Sequence, residues 1–197
     1  MTTPPTKICG SCSLCCKVML VEELQKPQGV WRGHFKGGVG CSIHDSHPYS
    51  CGVFQCLWIL SPTMPIQARP DRLKVVMEID DGGKRILARA DPDHPGAWRQ
   101  PLVYGQLKQW ARDGWPHGRT VWAMVNRHMW LISPNEHADV DVGVTDPRSP
   151  FVYQQGPDGR VSVTVLPPLA EGETYDPDAT MAKAGWTPPK ISIPRRD

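Results

Sequence analysis

The chain has 197 residues, 40% of them hydrophobic and 21% charged, with a net charge of +2 at pH 7. That is the composition of a globular protein, and the charge is too mild for the clustered basic face a nucleic-acid binder carries. No apolar run approaches the roughly 18 residues of a membrane helix, and Met1–Lys7 lacks the apolar core of a secretory signal. A cytoplasmic, reducing location is therefore expected, with no membrane partner, nucleic acid disfavoured and a protein partner still open.

All seven cysteines lie between Cys9 and Cys56, and residues 57–197 contain none. They read Cys9-Gly-Ser-Cys12-Ser-Leu-Cys15-Cys16, then Cys41, Cys51 and Cys56. A C-x2-C turn points two sulfurs to one side, so two overlapping pairs bring three thiolates within reach of one ion or cluster. In a reducing compartment an odd, clustered set of cysteines indicates metal ligands rather than disulfides. Seven thiols exceed one tetrahedral site by three, and two sites need eight donors. His34, His44 and His47 are the nearby nitrogen candidates, each of which reads more readily as a loop residue. Adjacent side chains rarely point at one ion, so Cys15 and Cys16 should play different parts. Spacing alone does not separate zinc from an iron–sulfur cluster. The ferredoxin run is C-x2-C-x2-C-x3-C-P, and here the fourth cysteine directly follows the third.

A segment as short as 9–56 rarely holds together by core burial alone. A structural metal contributes on the order of 10 kcal/mol to folding such pieces. Val18–Leu24 is expected to form a short strand or helical turn, ending at Lys26-Pro27. The glycine-rich stretch 31–40 leads into Cys41. Ser61-Pro62-Thr63-Met64-Pro65 reads as a linker or hard turn.

Beyond it, Arg72–Ile79 and Arg85–Ala90 form a predicted hairpin across Asp80-Asp81-Gly82-Gly83. Pro101 opens a predicted helix over Leu102–Arg112, with Val103, Leu107, Trp110 and Ala111 at helical spacing and Gly114 as the stop. Thr120–Val125 and Met129–Ile132 form a second hairpin across Asn126-Arg127-His128. Phe151–Gln154 and Arg160–Val165 form a third across Gly156-Pro157-Asp158-Gly159. Asp91, Asp93 and His94 could grip a hard cation, but their prolines favour a solvated turn. Trp98, Trp110, Trp115, Trp122 and Trp130 are assigned to core and interface packing. A base-stacking platform would need interleaved basic residues, and Arg99, Arg112, Arg119 and Arg127 are scattered.

The cysteine run, followed by Cys41-Ser-Ile43-His-Asp-Ser-His-Pro48-Tyr-Ser-Cys51-Gly-Val-Phe54, resembles the zinc- or iron-chelating cysteine-cluster family typified by YkgJ. That family's pattern is C-x2-C-x2-C-C, then C-x-I-Y-x2-R-P-x2-C-x2-F. The resemblance covers about residues 9–58. Ala97-Trp98-Arg99 and Asp139-Val-Asp-Val-Gly143 are similar to an extension in one bacterial branch. His44 stands where the family has tyrosine, and His47 where it has arginine. The family's further cysteine before the C-x-I segment is missing here, which makes His34 its candidate substitute. The resemblance implies a metal site and leaves the cellular role undefined.

The expected fold is α+β, with a metal-stabilised cysteine module (1–60), a β-rich unit containing one helix (66–166) and a proline-rich tail (167–197). The expected metal ligands are Cys9, Cys12, Cys15, Cys16, Cys41, Cys51, Cys56 and His34, holding zinc or an iron–sulfur cluster. No G-x-S-x-G, Walker or dinucleotide motif is present, so no catalytic residues are assigned and an enzyme is not favoured. Two other classes remain open. One is an iron–sulfur oxidoreductase or electron carrier; the other is an adaptor that binds a protein or nucleic acid, with structural zinc.

Overall fold

A five-stranded sheet is the frame, in the order β3-β4-β5-β6-β7. Its strands are β3 (Val75–Asp80), β4 (Arg85–Ala90), β5 (Thr120–Val125), β6 (His128–Leu131) and β7 (Val140–Val144). The computed structural model describes residues 7–31, 33–36, 39–43, 46–170 and 172–173. Helices and strands are both well represented, so the α+β class holds.

Local chemistry explains most of the frame. The β3–β4 turn uses Gly82 (φ 61°) and Gly83 (φ 93°), where a side chain would strain the backbone. Strand β3 starts at Val75, later than the expected Arg72. Pro70 opens a helical turn there, α4 (Pro70–Leu73), and Lys74 ends it in the left-handed region at φ 58°. Asn126 turns β5 into β6 at φ 50°, a conformation asparagine tolerates. Strand β4 pairs in parallel with β5. A parallel pair needs a long crossover, and α5 (Pro101–Gly114) provides it. That helix buries Val103, Leu107, Ala111 and Gly114 along one stripe. Strand β7 had no sequence expectation as a strand; the structure adds it antiparallel to β6.

One sheet face carries Val75, Met77, Ile86, Ala88, Val121 and Ala123, which join Val103, Leu107 and the fully buried Trp98 in one core. The other face is buried at Leu87, Trp122 and Leu131. Trp98 and Trp122 are thus core residues, and Trp110 and Trp130 are partly buried against the same core. The guanidinium of Arg99 lies 3.8 Å from the Trp98 ring.

The cysteine-bearing segment shares this core. Leu14 and Val18, with Cys56, Leu57 and Trp58, are buried among the sheet residues. Leu14 precedes and Val18 ends α1 (Cys15–Val18), while Leu57 and Trp58 lie on α3 (Leu57–Leu60). This corrects the expected boundary near Ser61–Pro65. A segment that donates five side chains to a common core is not a separate module. The compact units instead run Met1–Val144 and Thr145–Asp197. The second contains the hairpin of β8 (Phe151–Gln155) and β9 (Val161–Val165), turned by Gly159 at φ 83°. Most of the expected tail lies outside the described residues.

A buried ion pair reinforces the shared core. Lys17 Nζ is 2.5 Å from Asp91 Oδ1, with side-chain exposures of 4% and 6%. It also lies 2.6 Å from Asp93, whose side chain is 72% exposed. Asp91 is therefore not part of a solvated turn, because the Lys17 ammonium occupies the position considered for a cation. Burial opposes the charged form of each partner, yet the hydrogen bonds between them prevail. The Asp91 carboxyl is lowered and the Lys17 ammonium raised from their ordinary values. Asp91 thus stabilises the fold at neutral pH and stops doing so as pH falls through and below about 4. The Lys17 contribution is complete below about 10.4 and disappears as pH rises past it.

Two outcomes are expected. In denaturant titrations at pH 7, Asp91→Asn should cost about 3–5 kcal/mol, because it leaves the buried ammonium only the exposed Asp93 carboxylate. Asp93→Asn should cost less than about 1 kcal/mol; equal losses would remove Asp91 from its central role. In hydrogen exchange, Cys15–Val18 and Val75–Asp80 should lose protection together, since both belong to one core.

Candidate metal centre

Five short elements carry the seven thiols. Cys9 and Cys12 flank a tight turn, with Cys12 N donating to Cys9 O at 2.9 Å and Gly10 at φ 53°. Cys15 and Cys16 open α1. Cys41 ends β2 (Gly40–Cys41), opposite Phe35 of β1 (Phe35–Lys36). Cys51 lies in α2 (Tyr49–Val53). The Glu23 carboxylate accepts Ser50 N at 3.0 Å and Ser50 Oγ at 2.8 Å, which anchors the start of that helix. Cys56 is buried at the N-terminal cap of α3.

The thiols act on one another electrostatically in a single connected set. Burial raises Cys9, and the charges of Cys56 and Cys16 add to it. A hydrogen bond with Cys16 holds Cys15 well above its ordinary value, with burial and the charges of Cys16, Cys9 and Cys12 in support. That bond lowers Cys16 to about 7, against the effect of burial and with help from the Lys26 ammonium. Burial raises Cys51, followed by the charges of Cys16 and Cys41. Every cysteine of the chain is linked to at least one other. The adjacent pair divides its labour, with Cys15 the protonated donor and Cys16 the anion-prone partner.

Positive charge and amide dipoles surround this set. Lys26 is buried, and its Nζ donates to the carbonyls of Lys17 (2.8 Å), Met19 (2.5 Å) and Pro27 (2.9 Å). This places an ammonium at the end of α1, directly after Cys16. Cys12 is raised by burial, opposed by hydrogen bonds from the backbone N–H groups of Leu14 and Asp71. The Asp71 carboxylate in turn shares a hydrogen bond with the Cys12 side chain.

The histidines are placed less centrally. His34 is exposed, just before β1, and its carbonyl accepts Ser42 N at 2.8 Å. The His47 ring lies against Gly52, where an added Cβ would stand 2.6 Å from Cε1. Glycine beside Cys51 is what admits that ring. His44 lies outside the described residues. Among the described residues, no three histidine, cysteine, aspartate or glutamate side chains converge closely enough to hold an ion as they stand.

Sequence reasoning missed Lys17, Lys26 and Asp71. Lys17 follows Cys16 directly, but a lone lysine in an otherwise apolar run reads as pointing to solvent rather than as buried. Asp71 lies far beyond the last cysteine, so no spacing rule reaches it. Comparison with protein-family models, with curated proteins and with solved structures finds no match.

Metal-free protein should show this asymmetry in thiol alkylation, mapped by mass spectrometry between pH 6 and 9. Cys16 should react ahead of Cys9, Cys12, Cys15 and Cys51, with half-maximal rate near pH 7. Uniform reactivity would contradict the Cys15–Cys16 hydrogen bond.

Proposed function

We propose that the chain is a metal-binding protein whose centre is built from Cys9, Cys12, Cys15, Cys16, Cys41, Cys51 and Cys56. The observation that carries this reading is the connected electrostatic set formed by cysteines drawn from five elements. A fold gains little by gathering seven thiols for packing. Their burial disfavours the thiolates, and they crowd one another's charge. A cation reverses that balance, because thiolates facing one another repel until a metal sits among them. The donors also suit the group. Soft sulfur ligands are those of zinc and of iron–sulfur clusters, and amide N–H groups directed at Cys12 stabilise a metal-bound thiolate.

Zinc in this position would cross-link α1, α2 and the Cys9–Cys12 turn. An iron–sulfur cluster would supply one-electron chemistry. The residues themselves contribute thiolates, the Lys26 counter-charge and the Glu23–Ser50 anchor that orients Cys51. The N-terminal segment thereby becomes the part of the unit most dependent on the metal.

Anaerobic purification with metal analysis and an absorption spectrum tests the proposal. At least one zinc per chain, or broad visible absorption that bleaches with dithionite, is expected. Protein without zinc or iron, and unable to take up either after reduction of its thiols, would sink it. Cys16→Ser should lower metal content more than Cys41→Ser, since Cys16 bonds Cys15 and its charge acts on Cys9 and Cys51.

A further inference from the structure

The end of β3 borders a cleft of about 450 Å³ that opens to solvent and is lined by none of the thiols. Ser50 and Val53 of α2, Phe54 after it, Leu60 of α3, and Glu78 and Ile79 of β3 line it. Val53, Leu60 and Ile79 are half-exposed, and branched aliphatic side chains grouped around one hollow mark a surface that something else covers. Among the described residues that line the cleft, Glu78 alone is charged, and its side chain is only 9% exposed. Its Oε1 accepts Arg89 Nε at 2.5 Å, and Arg89 is held in turn by Met124, with Nη1 2.9 Å from Sδ. Among the described residues, Oε2 accepts no hydrogen bond. Nor is it sealed in the core, where the side-chain atoms left without a partner are Arg85 Nε and Trp98 Nε1. Oε2 therefore meets solvent, and it does so at the cleft that Glu78 lines.

A wholly apolar molecule would cover the aliphatic walls but strip water from Oε2 without replacing its bonds, which costs more than it gains. A donor carried on an aliphatic chain satisfies both parts. The chain covers Val53, Leu60 and Ile79, and the head group bonds the recessed oxygen. Charge selects the sign of that head. Arg89 balances Glu78, but Ser50 at the cleft donates from N and Oγ to the Glu23 carboxylate. Two carboxylates against one guanidinium leave a net negative charge, which disfavours an anion. Geometry selects its shape. A guanidinium fork wants two carboxylate oxygens, and Arg89 already takes Oε1; an ammonium is a point charge that needs only Oε2.

We propose that this cleft is a binding site for a small aliphatic amine in its ammonium form, with the ammonium on Glu78 Oε2 and the carbon chain against Val53, Leu60 and Ile79. Arg89 is a positioning residue, because by holding Oε1 it leaves Oε2 as the acceptor. The site uses no cysteine, so it stands or falls independently of the metal-binding reading above.

The test is methyl NMR of the full-length chain at neutral pH, titrated separately with n-hexylamine, hexanol and hexanoate. Hexylamine should give saturable shifts at Val53, Leu60 and Ile79. It should bind about tenfold more tightly than hexanol, the difference made by a hydrogen bond between charged groups, and hexanoate should not saturate the site. In Glu78→Gln, hexylamine should fall to the level of hexanol. That variant also deprives Arg89 of its carboxylate, so the comparison of head groups on the wild type carries the test even where the variant does not fold. Equal binding of amine and alcohol to the wild type overturns the inference. So do hexylamine shifts that fail to saturate or that miss these three residues.

Discussion

The buried contact between Lys17 and Asp91 is the constraint on which the arrangement depends. Lys17 directly follows Cys16 on α1, and Asp91 directly follows the last residue of β4. Their 2.5 Å contact fixes the first helix against the sheet. A buried ammonium needs carboxylates beside it, and Asp91 and Asp93 supply them to Lys17, which favours one seat for α1. From that seat Leu14 and Val18 enter the core, and Cys15 packs against its edge.

A second consequence concerns charge. The segment around α1 holds two buried lysines, with distinct roles. Lys17 is neutralised by carboxylates. Lys26 is held by three backbone carbonyls and lends its charge to Cys16. Buried cations beside a group of thiols lower the cost of forming thiolates, which any metal must have. Asp71 and Arg69 form a complementary arrangement at Cys12, on the other side of the run.

Cooperativity between the two ends of the larger unit follows from this layout. Core packing of α1 and α3 against the sheet gives the cysteine segment support beyond any metal. A metal would then act less as the sole organiser of a small module than as a brace on one edge of a shared core. Removing it should loosen the Cys9–Cys12 turn before α1 and the sheet give way together.

The sequence by itself determined the α+β class, the α5 stripe and all three hairpins. Those rest on local rules such as alternation, helical spacing, glycine at positive φ and proline at a helix start. It also located every thiol between Cys9 and Cys56, because their clustering is visible in one dimension. The tertiary structure alone decided that this segment is no separate module, that Asp91 is a buried counter-ion and that Asp71 belongs beside Cys12. Each of these depends on residues far apart in the chain meeting across a core. Neither the spacing of one segment nor the polarity of a single side chain encodes such a meeting; it is decided by where burial leaves a charge without water.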